Sequence, residues 1–270
     1  MAQALVLVGG GKMGGALLAG WLARGVVAAG QITVVEPDAK AAKAIRRRHR
    51  VAVAAGPDAL RRRPATVVFA VKPQVMDAVA PAYGRFASPA TVFLSIAAGK
   101  TIGYFQARLG PKAAIVRAMP NTPAAVGRGI TVAVANRRVG KAQRQRCDRL
   151  LAAVGEVAWI TDEALMDAVT AVSGSGPAYV FLLAECLAEA GREAGLPGGL
   201  SARLAAVTVA GAGELLHRSG DAPATLRKNV TSPGGTTAAA LARLMAANGL
   251  QRLLTRAIAA AARRSKELAG

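Results

Sequence analysis

Short apolar runs alternate with helical patterns from the start of the chain to about Ile160. Each run is rich in β-branched residues and apolar on both of its faces. Strands of this kind, separated by helices, are typical of a parallel sheet covered by helices on both sides. We therefore predict a doubly wound α/β sheet. The eight runs are ALVLV, ITVVE, VAV, TVVFAV, TVFLSI, AAIVRAM, ITVAVA and EVAWI.

The pattern changes after Ile160, where apolar residues recur at three- and four-residue steps. Glycine or proline separates the periodic segments, and Thr161 or Asp162 can cap the first helix. We expect an α/β domain over residues 1–160 and an all-helical domain over residues 161–270. More of the helical faces are apolar than a small bundle covers by itself, so we infer that the second domain forms a dimer.

The first apolar run leads into a glycine cluster, VGGGKMGGAL. Gly9, Gly11 and Gly14 have G-x-G-x-x-G spacing, with a predicted strand before them and a predicted helix after them. In this pattern Gly9 permits a tight turn, Gly11 lets the backbone approach a pyrophosphate, and Gly14 lets the helix pack close to the strand. The free amides of the helix N-terminus then face the phosphates. We interpret the stretch as a Rossmann-type dinucleotide site.

An acidic residue ends the second run. Glu36 lies about 20 residues beyond the glycine motif, where a carboxylate accepts hydrogen bonds from the adenosine ribose hydroxyls, and this favours NADH. Lys40 and Lys43 follow closely and can reach a ribose phosphate, so the choice between NADH and NADPH stays open. A solvated carboxylate before Pro37 is the alternative interpretation of Glu36.

Three further runs end in loops at the carboxyl edge of the predicted sheet, where such folds bind ligands. Lys72 lies in FAVKPQ, and Pro73 fixes the turn after it; an ordinary surface lysine is the alternative. RAMPNTPA provides Met119 as an apolar platform and Asn121 as a directed amide. The third run lies between FAVKPQ and RAMPNTPA in the sequence, and it ends in LSIAAG.

The helical half contains two polar, glycine-rich stretches. AVSGSGPAYVF interrupts the helical pattern before Pro177, which is well placed to begin a long helix. NVTSPGGTTAAAL places small polar residues at a helix N-terminus, where amides and hydroxyls form a site for a small carboxylate. An ordinary capped helix start is the alternative for this second stretch. Its small polar residues are Ser232, Gly234, Gly235, Thr236 and Thr237.

Together these motifs resemble the pyrroline-5-carboxylate reductase family. VGGGKMGGAL, AVKPQ, SIAAG, RAMPNTPA, AVSGSGPAYVF and VTSPGGTTAAAL occur in the order and at about the spacing of that family, over essentially the whole chain. MPNTP, SGSGPAY and SPGGTT are specific, whereas many dehydrogenases share the glycine motif. The resemblance implies reduction of the cyclic imine 1-pyrroline-5-carboxylate to L-proline with NADPH or NADH. It also implies an interlocked homodimer or a larger ring of dimers.

The resemblance implies roles for individual residues as well. Thr237 would be the catalytic residue and would hydrogen-bond the ring nitrogen. The substrate carboxylate would be held by Ser232, Gly234, Gly235 and Thr236. The dinucleotide would be bound by Gly9, Gly11, Lys12, Met13, Gly14, Glu36, Val71, Lys72, Pro73, Ala97, Met119 and Asn121. The chain departs from the family's LKDxV pattern at LRKNV, where Lys228 replaces an acidic residue.

Composition constrains the partners. The net charge of +20, taken by itself, suggests nucleic acid or a membrane surface as a partner. The basic residues are scattered in twos and threes and aromatic residues are only 4%, which favours a solvated basic surface. Cys147 and Cys186 lack the spacing of a metal site or a disulfide framework, and we expect no metal. Glu185 and Glu189 interrupt the longest apolar helix, so we expect a cytoplasmic protein with no membrane or nucleic-acid partner.

Two other functions remain open. β-Hydroxyacid dehydrogenases share the layout, but they use a lysine on a helix of the second domain as the acid–base catalyst. That domain offers only Lys228 and Lys266 here. A non-catalytic NAD(P)-binding sensor or DNA-binding protein would bind nucleic acid in a salt-dependent manner and would not oxidise NADH in response to the imine.

Overall fold

The computed structural model describes residues 4–269, and all eight predicted strands are present in one eight-stranded sheet. The strands are β1 (Leu5–Val8), β2 (Ile32–Val35), β3 (Ala52–Ala54), β4 (Thr66–Phe69), β5 (Val92–Ser95), β6 (Ala114–Met119), β7 (Gly129–Ala135) and β8 (Gly155–Trp159). Their order across the sheet is β3-β2-β1-β4-β5-β6-β7-β8. The predicted doubly wound α/β fold is confirmed.

Helices fill most connections between strands and the chain after β8. The earlier helices are α1 (Lys12–Ala23), α2 (Ala39–His49), α3 (Met76–Val79), α4 (Ile102–Leu109), α5 (Lys141–Ala152) and α6 (Met166–Val169). The later helices are α7 (Gly176–Glu193), α8 (Gly198–Ser219), α9 (Pro223–Asn229), α10 (Thr236–Leu244) and α11 (Leu250–Ala269). Of the two predicted caps after β8, Asp162 acts as one, because its carboxylate accepts from the Ala164 amide at 2.9 Å.

One pair of strands departs from the parallel arrangement. β6 and β7 pair antiparallel, with Met119 opposite Val132, whereas β7 and β8 are parallel to each other. β6 ends at Met119 and β7 begins at Gly129. This connection is shorter than the crossover of roughly a dozen residues that a parallel pair requires, so the chain turns back on itself. β7 and β8 consequently run opposite to the first six strands.

Each face of the sheet has its own apolar cluster, because alternate side chains of a strand point to opposite faces. Leu5 and Leu7 of β1 belong to the first cluster, and Val6 and Val8 belong to the second. Helices α1 and α5 contribute buried side chains to the first cluster, while α3 and α4 contribute to the second. The sheet is thus covered on both sides.

The described residues form two compact units. The first comprises the chain up to Gly174 together with the end of α11 from Ala262, and the second is Ser175–Ala261. Within the first unit, the Ser265 hydroxyl of α11 donates to the Asp167 carboxylate at 2.7 Å, which fixes the end of α11 beside α6.

The second unit consists of helices with few buried side chains. Within Ser175–Ala261, which is described throughout, only Ser201 and Ala205 are buried. The Ser201 hydroxyl donates to the Ala188 carbonyl and joins α8 to α7 at 2.5 Å. Large apolar side chains such as Phe181 and Val207 are more than half exposed. This unit has a helix pair but little core of its own.

Two helical stretches, Glu163–Glu193 and Gly198–Ser219, are long and apolar enough to cross a membrane by length and composition alone. This corrects the expectation that Glu185 and Glu189 keep the apolar stretches too short. For the first of these stretches, the expectation was wrong because it treated the SGSG motif as an interruption. Thr170–Gly174 instead forms a π-helical turn, so the helical stretch continues from before the motif into α7.

Candidate active site

The candidate dinucleotide crevice lies where the winding of the sheet changes direction. β1 and β4 are neighbours, and Val8 pairs with Phe69 at their carboxyl ends. The helix after β1 places Trp21 in the first apolar cluster, whereas the segment after β4 places Met76 in the second. The two connections therefore leave on opposite faces and open a crevice beyond the strand ends, which is where doubly wound sheets bind ligands.

The glycines of the loop after β1 meet different demands. Gly9 has a φ of 97°, and a Cβ there would lie 2.8 Å from Val71 Cγ1. A Cβ on Gly14 would collide with the Gly9 carbonyl oxygen, so Gly14 lets α1 pack against the loop. A Cβ on Gly11 would meet no described atom within 4 Å. Packing thus requires Gly9 and Gly14 but not Gly11, and this pattern fits a phosphate that approaches the backbone at Gly11.

Lys12 and Met13 begin α1 beside this loop. Gly11 is the N-cap and has an extended backbone without a capping side chain. The first amides of α1 therefore lack the intrahelical or side-chain acceptor that would satisfy them, and an anion is a suitable acceptor. Lys12 is exposed, and Met13 is half-buried against the first apolar cluster. The positions of Lys12 and Met13 fit a dinucleotide whose pyrophosphate lies at the start of α1, as the glycine motif predicts.

Glu36 follows β2 and is bound to the glycine loop. Its Oε2 atom accepts from the Gly10 amide at 3.1 Å. Sequence reasoning missed Gly10, which occupies a variable position of the motif. A Cβ on Gly10 would collide with Ile45 Cδ1, so this glycine lets α2 pack close to the loop. An uninterrupted run of three glycines was the available signal that packing demands extend beyond the motif.

The loops after β4 and β5 place the next predicted residues. Val71 is half-buried beside Gly9, and Lys72 is exposed at the start of the turn that Pro73 opens. Ala97 is 4% exposed and belongs to the second apolar cluster. Its amide donates to the Ser95 hydroxyl at 3.2 Å. The side chain of Ala97 therefore faces the core, so any contact of this residue with a ligand would involve its backbone.

Met119 and Asn121 both reach the π-helical turn at Thr170–Gly174. A Cβ on Gly174 would collide with Met119 Cε, so the methionine packs directly on the turn. The Asn121 amide group donates to the Ser173 hydroxyl at 3.3 Å, while its oxygen accepts from the Ile130 amide at 3.0 Å. Asn121 thus holds the loop, β7 and the turn together. The structure assigns it this positioning contact, which sequence reasoning did not foresee.

A partly buried ion pair begins two residues before Met119, at Arg117, and was also missed. Arg117 of β6 is 4% exposed, and its Nη1 lies 2.9 Å from Glu163 Oε1. The same carboxylate oxygen accepts from the Ile102 amide at the start of α4, at 2.8 Å. An arginine inside the apolar run AIVRAM was a signal that a buried partner exists. The pair fastens the segment before α6 to the sheet.

The SPGG motif of the second unit forms a tight turn. The Gly235 amide donates to the Ser232 carbonyl at 3.1 Å. Gly234 has a φ of 69° at the third position, and Pro233 occupies the second, which are the residues a type II turn requires. A Cβ on Gly235 would lie 2.5 Å from Ser232 Oγ. The serine hydroxyl therefore lies beside Gly235, the N-cap residue of α10.

Thr236 and Thr237 are the first two residues of α10, and Gly235 is its N-cap without a side-chain hydrogen bond. The amides of the first turn have no intrahelical acceptors, and they carry the positive end of the helix dipole. Thr237 is half-buried and Ser232 is exposed. The turn and the first residues of α10 thus place hydroxyl-bearing residues and unsatisfied amides next to one another, and their binding of a small carboxylate stays a prediction. Within residues 4–269, no group of three or more His, Cys, Asp and Glu side chains could hold a metal ion.

Comparison with known proteins accounts for both parts of the chain. Residues 163–268 match a family model for pyrroline-5-carboxylate reductase dimerisation. Residues 4–99 match a model for NADP oxidoreductase, coenzyme F420-dependent. The first match covers the helices with exposed apolar faces, and the second covers the glycine loop and Glu36.

Full-length relatives are also found. The chain is 41% identical to the pyrroline-5-carboxylate reductase of Pseudomonas aeruginosa, over 98% of this chain and 96% of that protein. It is 40% identical to the enzyme of Synechocystis, over 99% of both chains. The solved reductase from Coxiella burnetii superposes with a TM-score of 0.92 at 33% identity and covers 100% of both chains. That from Plasmodium falciparum, solved with NADP bound, gives 0.83 at 30% identity, over 99% of this chain and 98% of that one.

The fold and the crevice define an NAD(P)-dependent oxidoreductase with a helical dimerisation region. The chain belongs to the pyrroline-5-carboxylate reductase family.

Proposed function

We propose that this protein reduces 1-pyrroline-5-carboxylate to L-proline with NAD(P)H, and that the glycine loop binds the dinucleotide while the SPGGTT turn binds the substrate carboxylate. The observation that carries this proposal is the turn at Ser232–Gly235, which presents hydroxyls and free amides at the start of α10. A small carboxylate is one of the anions that suit such a helix N-terminus. Full-length likeness to named reductases supports the choice of the imine as substrate.

The cofactor supplies a hydride, and the residues of this chain position the groups that react. Gly9, Gly11, Lys12, Met13 and Gly14 bind the pyrophosphate through backbone amides at the start of α1. Loops around Val71, Lys72, Pro73, Ala97, Met119 and Asn121 bind the ribose and the nicotinamide. Rigid placement is the main contribution, since a reacting carbon held about 3 to 3.5 Å from its partner lowers the barrier by removing motional freedom.

Residues at α10 orient the substrate. Ser232, Gly234, Gly235 and Thr236 fix the carboxylate so that the ring cannot rotate. Thr237 hydrogen-bonds the ring nitrogen. A threonine hydroxyl is too weak to act alone as a general acid, and it does not have to, because the imine can bind already protonated. The positive charge on that nitrogen makes the neighbouring carbon electrophilic.

We also propose a role for each domain, the assembly of the protein and its surroundings. Residues 1–160 act as the dinucleotide-binding domain, and residues 161–270 bind substrate and form the homodimer, or a larger ring of dimers. The exposed apolar side chains of α7 and α8 support burial against a second copy. We propose a cytoplasmic enzyme that has neither a membrane nor nucleic acid as a partner. Its excess of arginine forms a solvated surface.

The test is the absorbance of NADH and NADPH with and without pyrroline-5-carboxylate. We expect cofactor oxidation that depends on the imine, with proline as the product. Thr237→Ala should lower turnover roughly 10-fold, because one oriented hydrogen bond is lost. Thr255→Ala is the matched control, since that hydroxyl donates to the Gln251 carbonyl within α11. Absence of imine-dependent oxidation would refute the function, and full activity of Thr237→Ala would remove Thr237 from the site.

A further inference from the structure

Two carboxylates follow β2, and the backbone holds both in place. Glu36 Oε2 accepts from the Gly10 amide at 3.1 Å, and Glu36 Oε1 accepts from the Asp38 amide at 3.2 Å. Each oxygen of Glu36 therefore has a backbone partner, one in the glycine loop and one in the chain leading to α2. The carboxylate cannot swing away from the loop without losing these hydrogen bonds.

Asp38 occupies the N-terminus of α2. It is the N-cap residue, and its Oδ1 accepts from the Ala41 amide at 2.7 Å. A helix N-terminus at this place is where a phosphate on the ribose would find free amides and a favourable dipole. In this chain a side-chain carboxylate already takes that position. One amide that would attract an additional phosphate is thereby used within the protein, although Arg48 of α2 lines the pocket beside Gly10 and Lys12.

From this pair we propose that the enzyme selects NADH over NADPH, with Glu36 as the residue that discriminates. The inference rests on the proposed cofactor site. A carboxylate at this position accepts hydrogen bonds from ribose hydroxyls. A phosphate ester carries a charge of about −1.5 to −2 near neutral pH, so at the same place it meets Glu36 and Asp38 as like charges.

Basic residues on α2 oppose this selection but are less effective. Lys40 and Lys43 are exposed on α2. A lysine ammonium is a strongly hydrated point charge on a flexible stem, and it loses side-chain freedom when it holds a ligand. The Glu36 carboxylate is already held by two backbone hydrogen bonds, so it acts on a bound ribose without further ordering. The fixed negative group therefore decides the preference.

The test measures dissociation constants of NADH and NADPH by fluorescence titration, without the imine. We expect the wild-type protein to bind NADH at least 10-fold more tightly. Glu36→Gln retains an acceptor for the Gly10 amide but removes the charge, and it should shift the ratio about 10-fold towards NADPH. Glu36→Ser should shift it in the same direction. Glu156→Ser, on β8 and exposed, is the control and should leave the ratio unchanged.

The outcomes separate this inference from the proposed function. Equal or tighter binding of NADPH by the wild-type protein, together with imine-dependent oxidation, overturns the selection and leaves the reaction intact. A ratio that does not change in Glu36→Gln, in a protein that still binds NADH, removes Glu36 as the discriminating residue. Failure to bind either dinucleotide, with no imine-dependent oxidation, refutes the proposed function itself.

Discussion

The first unit, called the sheet unit, and the second unit (Ser175–Ala261), called the helical unit, differ in where their apolar side chains lie. In the first unit, strands and helices bury large side chains such as Trp21, Phe69 and Phe105 completely. In the second, comparably apolar helices leave Phe181 and Val207 more than 60% exposed. The first unit contains the core that it needs. The second has the composition of a core without the burial, which is the usual state of a single chain whose helices pack against another copy.

The difference also separates two ways of building a site. Dinucleotide residues are held by contacts within the sheet unit, such as the hydrogen bonds from Gly10 and Asp38 to Glu36. The proposed carboxylate site is one tight turn before a helix, with Gly234 at a positive φ. Mutations should therefore act through folding of the single chain in the first unit and through assembly in the second.

The largest effect is expected from a charge placed on the exposed apolar face. Phe181→Asp should convert the oligomer to monomers, because the interface would have to bury an unpaired carboxylate. Analytical ultracentrifugation measures the mass. Val126→Asp is the matched control, since Val126 is 76% exposed in the sheet unit, and the assembly should survive it. An unchanged mass for Phe181→Asp would show that this face is not the interface.

The next effect concerns the glycine loop. Gly14→Val should destabilise the sheet unit by about 3 kcal/mol and abolish dinucleotide binding, because its side chain collides with the Gly9 carbonyl oxygen. Urea unfolding and NADH titration measure the two results. Gly15→Ala is the control, because a Cβ there would lie 3.7 Å from the nearest atom, the Gly10 carbonyl oxygen. Normal binding by Gly14→Val would contradict the role given to this glycine.

A smaller loss is expected at the partly buried ion pair of Arg117 and Glu163. Glu163→Ala should cost ~2 kcal/mol of unfolding free energy, because it leaves the buried Arg117 unpaired and the Ile102 amide without its acceptor, while Glu163 itself is partly exposed. Glu163→Gln should cost less, since its side-chain oxygen still accepts from that amide. Urea denaturation of both variants checks the order. Equal stabilities of the two variants would show that the amide contact contributes nothing.

The smallest expected effect is that a buried thiol, Cys147, fails to react with a labelling reagent. Cys147 is fully buried in the first apolar cluster, and burial raises the pKa of its thiol to about 12. Almost none of it is the reactive thiolate at pH 8. In a Cys186→Ser variant, a thiol reagent should therefore label no cysteine in the folded protein and one per chain in urea. Rapid labelling of the folded variant would mean that the sheet unit opens readily.

Regular structure was predictable from the sequence because periodicity reports burial directly. All eight strands lie at the predicted runs, and α7 begins beside Pro177, where a long helix is predicted. The direction of β7 was not foreseen, because it depends on the length of the connection after Met119. The π-helical turn at Thr170–Gly174 was not foreseen either, since glycine and serine were interpreted as breaking a helix that in fact continues.

Site residues also divide into those that were predictable from the sequence and those that were not. The glycine motif and Glu36 follow from local spacing, and the structure brings them together. Arg117 and Glu163 are 46 residues apart in sequence, and the contact of Asn121 with Ser173 spans 52, so only the folded chain shows these partners. Local patterns identify which residues have a chemical task. They do not tell which distant residue will hold them in place.

The reversal of β7 has a practical consequence for attaching probes to the enzyme. Because β7 and β8 run against the other strands, the loop after β7 opens at the edge of the sheet opposite the glycine loop. Arg137 is exposed in that loop. A dye or a surface linker at this position would sit on the far side of the sheet, leaving the entrance to the crevice clear.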